Sequence, residues 1–95
     1  MRERDIEQYL TRRVKALGGR AYKWVSPGNA GVPDRLVLLP GGRVVFVELK
    51  APGRKPTRLQ LVQQERIAAL GCDVRVVDSR EGVDKLVQEL TADEI

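Results

Sequence analysis

Hydrophobic residues recur at helical spacing in three segments of the chain. The first segment predicts a helix over Glu3–Leu17, because its apolar residues fall every three or four positions and form one stripe. A second helix is predicted over Thr57–Leu70, where Gly71 stops it, and a third begins after a capping residue, Asp78 or Ser79. The stripes expected to be buried in the first and third helices are Ile6, Leu10, Val14 and Leu17, and Val83, Leu86, Val87 and Leu90.

Between the helices, short runs of β-branched and other apolar residues predict four strands. The runs are Arg20–Val25, Arg35–Leu39, Arg43–Leu49 and Val74–Val77. Pro40–Gly42 favours a tight hairpin between the second and third strands, while Ser26–Pro33 and Ala51–Pro56 are predicted loops. The element order α-β-β-β-α-β-α, without repeat or linker, predicts one α/β domain over residues 1–95, with a small mixed β-sheet flanked by helices.

The composition narrows the chemistry open to this chain. Its 95 residues include no histidine and one cysteine, which excludes an imidazole base and a zinc site. Any metal must therefore be held by oxygen ligands, which favours Mg²⁺ or Mn²⁺. Cys72 is expected to be a small buried residue.

The first five residues are charged and no long apolar run follows them. We therefore expect a cytoplasmic protein that has no signal peptide and no contact with a membrane.

The net charge of +4 conceals a strong asymmetry. Residues 78–95 carry a net charge of −4, so residues 1–77 carry +8. Between Gln8 and Gln64 there are eleven basic residues and only two acidic ones, Asp34 and Glu48. A basic surface of this kind suits a polyanion such as nucleic acid, and the alternative is a solvated face that serves solubility.

The two isolated carboxylates fall together in the predicted hairpin. If residues 40–42 form its loop, Asp34 lies opposite Glu48, whereas a two-residue turn would shift the register by one. Like charges facing each other across strands, with Cβ atoms ~5 Å apart, are destabilising unless a divalent cation lies between them. Lys50 projects from the same face as Glu48, because side chains alternate along a strand, and Leu49 points to the other face.

These residue types in this arrangement are suited to phosphodiester hydrolysis. A metal held by Asp34 and Glu48 could bind a phosphate oxygen and acidify a water, which Lys50 could orient. The alternative is an ordinary salt bridge between Lys50 and the carboxylates.

Several of these motifs resemble a known group of enzymes. Pro33-Asp34, followed after a thirteen-residue gap by Glu48-Leu49-Lys50, is similar to the motif of the PD-(D/E)XK nucleases. The segments 31–35 and 46–52, together with Gln60 eleven residues before Gly71, resemble the VRR-NUC (virus-type replication-repair nuclease) family. The likeness runs from about residue 3 to residue 78.

The resemblance implies a fold, an activity and a set of roles. The fold would be an αβββαβ(α) restriction-endonuclease-like core, and the activity a metal-dependent endonuclease for branched or structured DNA, with a homodimer as in junction resolvases. Asp34, Glu48 and the backbone carbonyl of Leu49 would bind Mg²⁺ or Mn²⁺, and Lys50 would assist the attacking water. A non-catalytic basic module that binds nucleic acid is the alternative function.

Two more family positions leave alternatives open. The first helix supplies an acidic residue to such sites, for which Glu3 fits the spacing better than Glu7, but either one could simply stabilise the helix N-terminus. Gln60 would reach the site from the second helix, yet with Thr57 it also forms a capping box. Gln63 stands where many relatives have Trp, so packing near it is expected to differ.

Substrate contacts are expected from cations around this site. The loop and helix that follow it supply Arg54, Lys55 and Arg58, with Lys23 and Arg35 as further candidates for contacts with DNA phosphates. Trp24 and Phe46 are predicted to be core residues, so we expect recognition of the DNA backbone and shape, with base stacking playing little part.

Overall fold

The predicted elements are all present in the structure, a computed structural model that describes residues 1–92. They are α1 (Glu3–Ala16), β1 (Arg20–Lys23), β2 (Arg35–Leu39), β3 (Arg43–Leu49), α2 (Arg58–Ala69), β4 (Asp73–Val77) and α3 (Arg80–Thr91). Leu17 and Leu70 are C-caps, Thr57 and Ser79 are N-caps, and the element ends otherwise differ from the predicted ones by one or two residues. Residues 93–95 of the predicted domain lie outside the described part.

The four strands form one mixed sheet in the order β1-β2-β3-β4. The pairs β1–β2 and β2–β3 are antiparallel, and β3–β4 is parallel. Leu39 lies opposite Arg43, so residues 40–42 form the hairpin loop and the predicted register is confirmed. Gly41 and Gly42 have φ values of 85° and 76°, a conformation that a residue with a Cβ rarely adopts. The α/β fold class with a small mixed sheet is also confirmed.

One face of the sheet carries the hydrophobic core. Alternate residues of β2 and β3 project onto it and pack against α1 and α3, whose predicted stripes are buried except for the half-buried Leu17. The buried cluster consists of Ile6, Leu10, Val14, Val37, Val45, Val47, Leu49, Val77, Val83, Leu86, Val87 and Leu90. Since β3 supplies three of these side chains, its backbone is fixed by packing on this face.

The opposite face of the sheet is only partly covered. It is packed by α2, which lies mainly against β4 and has no buried residue of its own. The prediction that Trp24 and Phe46 are core residues is therefore wrong, because both are half-buried on this less covered side and contact each other there. Cys72, predicted to be buried, is exposed in the turn after α2. No helix within residues 1–92 has the length and apolar character needed to cross a lipid bilayer.

Candidate active site

A row of four side chains crosses the less covered face of the sheet near the C-terminal end of β3. The backbone N–H of Trp24 donates to the carbonyl of Asp34 at 2.9 Å, which extends the β1–β2 pairing by one residue. Extending the β2–β3 register by one residue places Asp34 opposite Glu48, which is itself paired with Val76. Residues paired across neighbouring strands project from the same face, so Trp24, Asp34, Glu48 and Val76 are successive neighbours.

The Asp34 carboxylate is held in place by the end of β3. Its Oδ1 accepts a hydrogen bond from the backbone N–H of Leu49 at 3.0 Å. The Leu49 side chain is buried in the core on the other face, so this donor is itself fixed. The site therefore has one carboxylate whose position depends directly on the packing of the sheet.

Glu48 is almost completely buried, with 3% of its surface exposed. Its Oε2 accepts a hydrogen bond from Gln60 Nε2 at 3.2 Å and lies 3.6 Å from Lys50 Nζ. Its Oε1 is buried and has no hydrogen-bond partner among the described residues. Burial and, after it, the negative charge of Asp34 raise the pKa of Glu48 to about 7, against the lowering effect of Lys50.

This arrangement fits a hard divalent cation. An unpaired buried carboxylate oxygen costs free energy, and a cation between Glu48 and Asp34 would satisfy it and remove the repulsion between the two charges. Within residues 1–92 no group of three His, Cys, Asp or Glu side chains could hold a metal ion. Two carboxylates completed by a backbone carbonyl, substrate phosphate and water nevertheless suit Mg²⁺, which is usually bound by few protein ligands.

Gln60 forms the predicted capping box and also contacts a carboxylate of the candidate site. Its backbone N–H donates to Thr57 Oγ1 at 3.2 Å, and its Oε1 accepts from the Thr57 N–H at 2.9 Å, which completes the capping box of α2. Its Nε2 donates to Glu48. One amide thus joins the start of α2 to a carboxylate of the site.

The two acidic candidates of α1 are in different environments. Glu7 forms an ion pair with Arg35 at 2.6 Å. Glu3 is exposed, and its negative charge contributes to the raised pKa of Glu48, after burial and the charge of Asp34. The role of Glu3 in the site stays a prediction.

The predicted phosphate contacts also divide into two groups. Lys23, Arg54, Lys55 and Arg58 are exposed. Arg35 has 7% of its surface exposed, and its guanidinium contacts Glu7 and the carbonyl of Asp34. The Arg35 guanidinium is already bound by these two groups and is therefore not among the proposed DNA contacts.

The loop before Asp34 is fastened to α2, a contact that the sequence did not reveal. Gln63, one turn after Gln60, donates from Nε2 to the carbonyl of Ala30 at 3.1 Å. Gly31 has a φ of 89°, and a Cβ added there would lie 2.9 Å from Cγ of Leu59 and 3.0 Å from its backbone. The close approach needs a glycine, so α2 positions both the loop leading to Asp34 and the partner of Glu48.

Gly31→Ala is expected to destabilise the protein by about 2–4 kcal/mol, because it combines an unfavourable positive φ with a clash against α2. Gly28 is a matched control, since its φ is 82° and nothing lies within 4 Å of an added Cβ. Gly28→Ala is expected to cost only about 1–2 kcal/mol. Urea unfolding of both variants measures the difference, and equal losses would contradict the close packing of this loop on α2.

Comparisons with known proteins identify the family of this chain. No protein-family model matches the chain. A search of curated proteins finds "Putative nuclease p44" of Acyrthosiphon pisum secondary endosymbiont phage 1, which is 56% identical over 81 residues, covering 85% of this chain and 87% of that protein. A solved structure described as "VRR_NUC domain" is similar with a TM-score of 0.85 and 41% identity, over 90% of this chain and 94% of the other. At this identity and coverage, the chain belongs to the VRR-NUC family of the PD-(D/E)XK nucleases.

Proposed function

We propose that this protein is a divalent-metal-dependent endonuclease that hydrolyses phosphodiester bonds in branched or structured DNA. The observation that carries the proposal is the buried Glu48, which has an unpartnered Oε1 and lies opposite Asp34. A buried carboxylate oxygen without a partner, close to a second carboxylate that is half-buried, carries an electrostatic cost that a cation would remove. Membership of a nuclease family and the excess of basic residues around the site support DNA as the substrate.

Asp34, Glu48 and the carbonyl of Leu49 would hold Mg²⁺ or Mn²⁺. When bound, the cation would polarise a phosphate oxygen and lower the pKa of a water. Lys50, with its Nζ at 3.6 Å from Glu48, is close enough to orient that water or to stabilise negative charge growing on the phosphate. Gln60 holds the Glu48 carboxylate by its hydrogen bond, and Glu3 is the residue of α1 that we propose as a further acidic group of the site.

Incubation with branched and linear DNA tests the proposal directly. We expect cleavage of the branched substrate in Mg²⁺ or Mn²⁺ and none in EDTA. Binding without cleavage of any substrate in either metal would contradict the enzymatic function and favour a non-catalytic nucleic-acid-binding module. Equal cleavage of branched and linear DNA would retain the nuclease and reject the structural preference.

The loop after β3 is proposed to contact DNA phosphates through Arg54 and Lys55. Each phosphate contact releases about one counterion, so the double variant Arg54→Ala/Lys55→Ala is expected to lower the slope of log K against log salt by about 2. Arg66→Ala is the matched control, because Arg66 is also exposed but lies near the opposite end of α2. Filter binding at several salt concentrations measures the slopes, and an unchanged slope in the double variant would remove this loop from the DNA interface.

The proposal includes a homodimer, which would present two active sites to two DNA strands. The surface of α2 supports it, because Leu59 and Leu70, which are eleven residues apart and so lie on one side of the helix, are 50% and 82% exposed. A second copy would bury apolar area that this small domain leaves in contact with water. Light scattering at micromolar concentration is expected to give twice the chain mass of 10.6 kDa, and a monomer mass would contradict the dimer.

A further inference from the structure

Trp24 occupies a position that the chemistry of the carboxylates does not explain. It is directly across β1–β2 from Asp34, so only one strand separates it from Glu48. Side chains opposite each other on neighbouring strands have Cβ atoms ~5 Å apart. A large aromatic side chain therefore adjoins Asp34 and lies on the same face of the sheet as Glu48, one strand away.

The indole is held in place by Phe46 and is not part of the core. The two ring centroids are 5.1 Å apart and the ring planes are inclined by 53°. Phe46 precedes Glu48 by two residues and shares its face, so the pair of rings extends up to the carboxylates. Both side chains remain half-buried, because α2 covers the β4 side of the face. Indole surface thus stays accessible beside the site.

The sequence-based expectation that base stacking plays little part assumed that Trp24 is a core residue, which it is not. We propose that Trp24 stacks on an unpaired base of the nucleotide next to the scissile phosphate. The inference rests on the proposed nuclease function and specifies its substrate class: DNA in which the bases at the cleavage point are not paired. A base within a duplex is covered above and below by its neighbours, whereas an unpaired base offers a free π-face. Any base can stack on an aromatic ring, so this contact favours unpaired DNA over paired DNA without favouring a particular sequence.

The only tryptophan of the chain makes the proposal directly observable. In EDTA, which prevents metal-dependent cleavage, a single-stranded thymidine oligonucleotide is expected to quench the intrinsic fluorescence of the wild-type protein saturably. A blunt-ended duplex of the same length is expected to bind with much less quenching. Binding of the oligonucleotide, measured by anisotropy of a DNA label, without a change in tryptophan fluorescence would overturn the proposal, as would equal quenching by both DNAs.

Variants give a second, independent measurement. Trp24→Ala is expected to weaken binding of the single strand by roughly 5- to 150-fold, the loss typical of one stacked base, and to change binding of the blunt-ended duplex little. Trp24→Phe keeps an aromatic ring and is expected to retain most of the affinity. Tyr22→Ala is the matched control, because Tyr22 is an exposed aromatic residue of the same strand and face but lies one row further from the carboxylates. Equal losses of single-strand and duplex binding in Trp24→Ala, or a loss of single-strand binding in Tyr22→Ala equal to that in Trp24→Ala, would overturn the proposal.

The failure of this inference is distinguishable from that of the proposed function. If the wild-type protein cleaves branched DNA in Mg²⁺ but shows no quenching by single strands, the stacking role is rejected and the nuclease stands. If quenching and the Trp24→Ala loss are observed without cleavage in Mg²⁺ or Mn²⁺, Trp24 binds unpaired bases in a protein that is not a nuclease.

Discussion

Asp34→Asn is expected to reduce metal-dependent cleavage by a factor on the order of 10³ or more, while the protein stays folded and still binds DNA. The amide oxygen of Asn can accept the hydrogen bond that Asp34 Oδ1 receives from the N–H of Leu49, so the local structure is kept. The charge that would help to hold the cation is lost. Cleavage rates at saturating Mg²⁺, urea unfolding and DNA binding in EDTA together measure the three parts of this expectation.

Two further variants sharpen the test of the carboxylate pair. Asp78→Asn is the control, because Asp78 directly follows β4 at the same end of the sheet but is not one of the proposed ligands. It should cleave at nearly the wild-type rate. Lys50→Ala should lose cleavage while retaining metal-dependent stabilisation, since Lys50 is proposed to act on the water and the phosphate. Wild-type cleavage by Asp34→Asn would contradict the proposed metal site.

Glu48→Gln is expected to make the metal-free protein more stable than the wild type at pH 8, by an amount on the order of 2–3 kcal/mol. The pKa of Glu48 is raised from 4.5 to about 7 by burial and by the charge of Asp34. At pH values between 4.5 and about 7, Glu48 keeps its proton in the folded protein and has lost it in the unfolded chain. The stability contributed by this proton is fully present below pH 4.5 and is lost as the pH rises through 7. Gln resembles the protonated side chain at every pH, so the variant does not lose this stability.

Urea unfolding of both proteins between pH 4.5 and 8.5 checks this prediction, because other titrating groups cancel in the difference. The advantage of Glu48→Gln should be near zero at the acidic end and should grow as the pH approaches 7. Mg²⁺ should raise the wild-type stability at pH 8 and should have much less effect on Glu48→Gln. If the difference in unfolding free energy between Glu48→Gln and the wild type did not vary with pH, the pKa of Glu48 would not be raised in the folded protein.

The register of the β2–β3 hairpin was predictable because it depends on short-range properties. The apolar runs fix where the strands begin and end, and the sequence Pro-Gly-Gly allows the positive φ values that a three-residue loop requires here. Once Leu39 lies opposite Arg43, the alternation of side chains forces Asp34 and Glu48 onto one face. Lys50 belongs to that face for the same reason, because it follows Glu48 by two residues.

Longer-range contacts were not predictable in this way. The eight-residue loop before Asp34 does not fix how β1 pairs with β2, so the place of Trp24 beside that carboxylate followed only from the pairing of the sheet. A helical pattern likewise cannot show how much of the sheet a helix covers, and α2 covers too little to bury Trp24 and Phe46. The pairing of Arg35 with Glu7 depends on α1 crossing the end of β2, which no local spacing encodes.

The amino-acid sequence by itself determined the order of the elements, the hairpin register and the facing carboxylates, since each of these depends on residues close together in the chain. Only the tertiary structure decided how completely Glu48 is buried, that Gln60 caps α2 and binds Glu48 at once, and which aromatic residue adjoins the site. The first two properties depend on the packing of the helices against the sheet, and the third depends on the pairing of β1 with β2. That packing is set by contacts between distant segments, each too weak to be read from a local pattern.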